Sequence, residues 1–490
     1  MTEAPGDLPP ACWPIRVIAE RVRRREITAA RVVEACLQTV RARNGELNAI
    51  VTLTEDRARA QAEEIDRVTQ RGGDPGALAG VPFTVKDLIA TRGVRSTAGS
   101  LLLRDYVPSW GAPAVERLCA AGAVLVGKTN CPEFGLALHT GNRLFGDTLN
   151  PLDQCLSPAG SSGGDAAAVA AGMAAFGVGT DYGGSIRVPA HCTGTAAFRP
   201  TPGIVPGTGQ LPFRPGPSPV PPNTASMQAK LQTIGPIGRS VADLWPVIQV
   251  MAGPDGVDGN AVPVALGDPG SVDVARLRVA WCDGEGTYPV RADLVAVVEA
   301  AARALSARKI QVTAGRPPGL DEAEPVYALL RALEGLPDHE DLAQGRDGEL
   351  TSYVRAWMAE PRPAATFADW RALTARADQI RAQVYAFMEE WPILLLPVAS
   401  VPAFPPGAGE FSVGALVLSG LQVESCCRVV TLLRSPVAVV PCGYSDEGLP
   451  VGVQVVGRPF HDAEVLAVAA ELQRLCAIPA ASLRQVALRD

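Results

Sequence analysis

Between residues 15 and 71 apolar positions recur at helical spacing, as in Val17, Ile18, Ile27, Val32, Val33, Cys36 and Leu37, and Thr28 stands where its hydroxyl can cap the second helix. The pattern predicts amphipathic packing helices. The run 81–85 is continuous instead of periodic, follows a glycine-containing turn and predicts a strand; a helix over 113–121 and a buried strand over 124–127 come next. Helix and strand alternate, as in α/β chains. The longest apolar run, 166–179, is too short and too rich in Ala and Gly to cross a bilayer, so it predicts a buried helix running into a loop or strand.

Residues 201–223 are dense in proline and glycine, which excludes a helix and leaves few sheet donors. The segment is expected to be irregular and at the surface, with equal claims to the rim of a substrate entrance and to a plain loop. Helical patterns return over 241–251, 291–308, 320–333 and 366–389, followed by strands over 393–397 and 438–441. A hairpin over 437–455, turning at 445–448, and a helix over 463–475 close the chain. No repeat or charge run marks a linker. One domain is expected, divided into a core part (13–205), a variable part that sets substrate choice (206–385) and a C-terminal part that completes the core (386–490).

With 490 residues, 47% hydrophobic and 19% charged, a sizeable core is assured. The net charge is −7 with Lys and Arg scattered, so nothing suggests nucleic acid or an anionic membrane as partner. A small molecule is expected instead, acted on by a monomer or homodimer. Residues 1–16 lack a basic stretch followed by an apolar one, so a cytoplasmic location is expected. Eleven cysteines without CxxC spacing fit reduced thiols better than a disulfide framework. His139, His191, His339 and His461 never fall at metal-ligand spacing, and no metal or cofactor is expected.

The chemistry concentrates in two Gly- and Ser-rich turns, Gly160-Ser161-Ser162-Gly163-Gly164-Asp165 and Asp181-Tyr182-Gly183-Gly184-Ser185-Ile186-Arg187. The first opens an Ala-rich helix and could cradle a phosphate, but the P-loop's Gly-Lys-Ser/Thr ending is absent and Asp165 would put a negative charge in the first turn. The second suits a nucleophile: consecutive glycines let backbone N–H groups approach an oxyanion, and Ser185 stands beside them. A serine hydroxyl needs a base, and with histidine scarce a lysine is the natural candidate. Lys86 follows an apolar run, and desolvation there would favour its neutral amine.

These segments resemble the amidase signature family. Gly80-Val-Pro-Phe-Thr-Val-Lys86-Asp87 is similar to its lysine segment and Gly127-Lys-Thr-Asn-Cys-Pro-Glu-Phe-Gly135 to its substrate-side turn. The stretch from Gly160 to Thr201 is similar to the signature itself. The resemblance covers about 15–205, resumes at 235–244 and returns more loosely at 449–458. It implies a large mixed, twisted β-sheet covered by helices on both faces, and a Ser-Ser-Lys triad of Lys86, Ser161 and Ser185. It further implies a cis Gly160–Ser161 peptide and an oxyanion hole from the amides of Tyr182, Gly183, Gly184 and Ser185. Ser162, Thr180, Asp181 and Arg187 are expected as support, and Gly135 and His139 as candidates for the pocket. Ala159, Asp165, Asp147 and Arg199 depart from the usual family residues, and none removes a triad member.

The function implied is hydrolysis of a carboxamide C–N bond through an acyl-serine, with a small, aryl or alkyl amide, carbamate or peptide amide as substrate. Two alternatives share the scaffold: the glutaminase subunit of a tRNA-dependent amidotransferase, and an inactive binding protein. Thr201-Pro-Gly-Ile-Val-Pro206 and the proline-rich stretch after it look more like stand-alone amidases. His191-Cys192 is set aside as a nucleophile pair, because neighbours on a strand point to opposite faces and a buried thiol is the default. Residues 410–428, with Cys426-Cys427, stay undecided as cavity lining.

Overall fold

The periodic N-terminal segment folds into the helices Ile15–Arg23, Ala29–Leu47 and Glu55–Gln70, and Thr28 Oγ1 caps the second by accepting from the amide of Arg31 at 3.1 Å. The structure, a computed structural model, describes residues 8–211, 216–219, 226–284, 286 and 288–476. Eleven strands form one mixed sheet: β1 (Ile50–Leu53), β2 (Pro82–Lys86), β3 (Val124–Thr129), β4 (Phe176–Asp181), β5 (Ala196–Arg199), β6 (Thr233–Gly238), β7 (Arg278–Trp281), β8 (Gln311–Ala314), β9 (Ile393–Pro397), β10 (Val437–Tyr444) and β11 (Pro450–Val456). Their order across the sheet is β1-β3-β2-β4-β6-β5-β10-β11-β9-β7-β8. The chain is thus a mixed α/β fold with helices flanking a large sheet.

Strands β2, β3, β4, β9 and β11 are buried along their whole length, which explains runs in place of alternation. The sheet brings the site together at one place. β2 and β4 pair in parallel, with Phe83 stacked on Phe176 at 5.2 Å, and so bring Lys86 within reach of Thr180. Helix Gly163–Ala170 lies directly on β4. A Cβ at Gly177 would stand 2.7 Å from Asp165 Cβ, and one at Gly179 2.6 Å from Ser162 Oγ, so glycine is required for this close approach.

The helices Pro113–Ala120, Val241–Met251, Ala292–Ala307, Leu320–Glu334, Phe367–Glu390 and Asp462–Cys476 and the antiparallel pair β10–β11 match the pattern-based reading. The short strands β1, β6, β7 and β8 and the helices Pro337–Ala343 and Ser352–Ala359 were not foreseen. His191 and Cys192 lie in a helix, Arg187–Thr193, not on a strand. Of the proline-rich segment, 212–215 and 220–225 lie outside the described residues; Gly216 accepts from Trp110 Nε1 at 3.2 Å. Among the described residues no helix is long and apolar enough to cross a membrane.

Candidate active site

Lys86 ends β2 with no exposed surface, and its Nζ donates to Ser161 Oγ at 2.6 Å and to Thr180 Oγ1 at 2.9 Å. Burial lowers its pKa to about 8, against the opposing pull of the acids Asp165 and Asp181. A substantial share of neutral amine is therefore present just above neutrality. Lys128, also buried and lowered to about 8 by burial, instead donates to Ile89 and Ser96 and faces Asp87 at 3.8 Å.

Ser161 follows a cis peptide from Gly160 and is almost fully buried. The glycines around it allow close packing: a Cβ at Gly160 would meet the Ala137 carbonyl at 2.8 Å, and one at Gly163 the Thr140 hydroxyl at 2.4 Å. Ser162 links the two turns. Its amide donates to the Ser185 carbonyl at 2.9 Å, and its hydroxyl bonds the backbone of Thr180. Ser161, Thr180 and Ser185 accordingly line one cavity of about 40 Å³.

The second turn is held from below by a buried ion pair. Asp181 accepts from the amides of Gly184 (3.1 Å) and Ile186 (3.0 Å) and from Arg187 through Nη2 (2.8 Å) and Nε (3.0 Å). Arg187 reaches on to the Cys427 carbonyl, Gln454 and Thr431. Burial alone would raise Asp181, but Arg187 and Arg199 bring it down to about 2. Gly184 has φ +134°, and a Cβ there would stand 2.9 Å from Cys427 Cβ. Of the four amides expected to form an oxyanion hole, that of Gly184 donates to Asp181 Oδ1.

Gly135 lines the cavity, with a Cβ position 3.2 Å from Ser161 Oγ. His139 is not among the lining residues. Its ring bonds Asp147 Oδ1 at 2.8 Å and Ser157 Oγ at 3.1 Å, so it braces the loop behind the wall. His191 is buried, bonds the Gly452 amide and the Val401 carbonyl, and is lowered by burial to about 4; burial also pushes the Cys192 thiol up. The His191 partners and the burial of Cys192 leave neither residue suited to nucleophilic work.

Several lining residues went unread in the sequence: Gln228, Gln232, Arg331 and Trp357. Arg331 stands one turn after Tyr327 on a helix whose buried face also holds Glu324, so its charge alone did not single it out. Leu421 and Glu424 settle the undecided 410–428 segment as lining, while Cys427 packs behind Gly184. Among the described residues no cluster of three or more His, Cys, Asp or Glu is placed to hold a metal.

Residues 31–466 match the Amidase family model. The chain belongs to the amidase signature family. The A-type subunit of the Chloroflexus aurantiacus glutamyl-tRNA(Gln) amidotransferase is 34% identical over 92% of this chain and 94% of its own length. Among solved structures, a bacterial aryl acylamidase of the amidase signature family superposes with a TM-score of 0.85 at 25% identity, covering 98% and 99% of the two chains. The A-type subunit of the Thermotoga maritima glutamyl-tRNA(Gln) amidotransferase gives 0.71 at 25% identity, covering 90% of each. Membership of the amidase signature family thus accounts for the large mixed sheet.

Proposed function

We propose that this chain hydrolyses a carboxamide C–N bond through an acyl-enzyme on Ser185, with Ser161 and Lys86 as its proton relay. The observation that carries the reading is the 2.6 Å contact between a fully buried Lys86 amine and Ser161 Oγ in the cavity that Ser185 lines. Neutral Lys86 takes the Ser161 proton as Ser161 takes that of Ser185, and Ser185 Oγ attacks the carbonyl carbon. Turn amides hold the oxyanion. The tetrahedral carbon expels the nitrogen, which leaves with the proton returned through Ser161. Water, deprotonated by the same relay, then cleaves the acyl ester and releases the carboxylate.

A second reading is favoured by the curated relatives, whose names make them A-type subunits of a glutamyl-tRNA(Gln) amidotransferase. In that role the same relay would release ammonia from a primary amide for transfer on a partner protein. The closer superposition on the aryl acylamidase than on the amidotransferase chain supports the stand-alone reading, while the higher sequence identity of the curated relatives weighs more on the side of the amidotransferase one. The purified chain alone is expected to release ammonia or amine from members of an amide panel that includes glutamine. Ser185→Ala should lower that rate at least about a thousandfold. Turnover that appears only with amidotransferase partner proteins would select the second reading; an unaffected Ser185→Ala rate would refute both.

A further inference from the structure

Two charged side chains face the cavity beside Ser185, Arg331 and Glu424, and they differ in how their charge is met. Glu424 Oε1 accepts from Arg428 at 3.1 and 3.3 Å, and Arg428 holds Glu324 at 3.5 Å. Glu334, three residues beyond Arg331, accepts from the amides of Met227 (2.6 Å) and Gln228 (3.3 Å). Arg331 has no carboxylate at ion-pair distance among the described residues and its buried Nε has no hydrogen-bond partner; Glu424 attracts it only at longer range, and Tyr327 is its near polar neighbour.

Its guanidinium lies between ring faces instead, with Cζ 4.3 Å from the Trp357 centroid and 5.1 Å from that of Tyr182. Stacking fixes the plane of the group while leaving its N–H edges available to a planar anion. The position is also tied to the chemistry. Tyr327, one turn earlier on the helix Leu320–Glu334, donates to the Tyr182 carbonyl at 3.2 Å, so Arg331 keeps a set offset from the turn that carries Ser185. Beside that helix, Gln228 donates to Gln232 and Gln232 to Gln210, each at 2.6 Å, so the neighbouring part of the lining contributes carboxamides.

We infer that Arg331 determines specificity by binding a carboxylate on the substrate, so that the amide hydrolysed is a compact acid amide, with a carboxylate a few bonds from its carboxamide. A partly buried guanidinium without an anion is unfavourable, and a substrate carboxylate supplies a bidentate partner. The small cavity favours a short molecule. The inference rests on the amidase reading for the identity of the reacting serine.

Glutaramate and pentanamide have equal length and differ in carboxylate against methyl. Their binding to the full-length Ser185→Ala chain, followed by ligand-observed NMR titration, is expected to favour glutaramate at least tenfold. Adding Arg331→Met should cut that preference at least tenfold, and Arg331→Lys should retain part of it. In the active enzyme the Arg331→Met loss should appear mainly in KM for glutaramate. Equal binding of the two amides, or a preference that survives in a folded Arg331→Met chain, overturns the inference; should that variant not fold, Arg331→Gln and Arg331→Lys carry the same comparison. Turnover without preference removes this inference alone, whereas preference without Ser185-dependent turnover removes the amidase reading alone.

Discussion

At the scale of single residues, the buried base is set by two opposed forces. Desolvation drives Lys86 toward the amine, and the acids near it draw it back toward ammonium. Asp165 is the adjustable member. It is fully buried, accepts from Thr84 Oγ1 at 3.0 Å, and is itself raised to about 7 by burial, with the Lys86 and Lys128 charges pulling the other way. An ionised Asp165 stabilises the ammonium, so its neutralisation in Asp165→Asn, which keeps an acceptor for Thr84, should lower the Lys86 pKa. The acid limb of kcat/KM, expected near pH 8 in the parent chain, should therefore move to lower pH. A pH–rate profile across that limb checks this, and a limb that stays or moves upward removes Asp165 from the account. Lys86 and Ser185 stand out in the sequence because of their local surroundings, an apolar strand before one and paired glycines before the other. The Arg187 partners were not: Cys427, Thr431 and Gln454 lie 240 residues or more along the chain, and no spacing rule reaches that far.

At the scale of elements, the turn between β4 and the helix Arg187–Thr193 depends on its two glycines unequally. Gly184 combines φ +134° with a Cβ position 2.9 Å from Cys427 Cβ, a part of the core that cannot retreat. A Cβ at Gly183 would meet the Glu424 carboxylate tip at 3.2 Å, a contact that a side-chain rotation relieves. Gly184→Ala should thus reduce kcat by roughly a hundredfold or more, on the scale of a lost oxyanion donor, while Gly183→Ala should cost less than about tenfold. Steady-state kinetics on both variants, with circular dichroism to verify folding, decides the matter, and equal losses would contradict this view of the turn. The same turn shows where pattern reading fails. Long helices with a continuous apolar face, such as Phe367–Glu390, and buried strands such as β9 stand out over their flanks. The helix Arg187–Thr193 is seven residues long, contains Pro189 and is buried on every side, so it has no polar face to give it a period. Strands β7 and β8 are four residues each, too short for alternation to register.

At the scale of the whole molecule, strand order is what the sequence could not disclose. β5, at residues 196–199, pairs antiparallel with β10, at 437–444, and that pairing joins the N-terminal and C-terminal strands into one sheet. A second tie lies beside it. Asp462, at the start of the helix Asp462–Cys476, accepts from the amide of Thr201 at 2.9 Å and from its hydroxyl at 2.6 Å, across 261 residues of chain. Burial raises the Asp462 pKa to about 6, although the Thr201 hydrogen bonds oppose the shift. The folded state therefore binds this proton more tightly than the unfolded chain, whose carboxyl titrates near 4. Its contribution to stability is complete below about pH 4, declines between about pH 4 and 6, and stays low above. Other buried acids, Asp165 among them, titrate with the same sign, so only a difference between variants isolates this one. Asp462→Asn keeps an acceptor for Thr201 and has no charge to bury. Relative to the parent chain, it should therefore gain stability on going from about pH 4.5 to about pH 7.5, by on the order of 2 kcal/mol. Asp462→Ala instead leaves the Thr201 amide without its acceptor and should lose roughly 1–3 kcal/mol at both values. Urea unfolding of the three chains at the two pH values measures both effects. If the Asn variant and the parent keep a constant difference across that range, the carboxyl of Asp462 does not titrate between them, and the tie between the two ends of the chain is indifferent to pH.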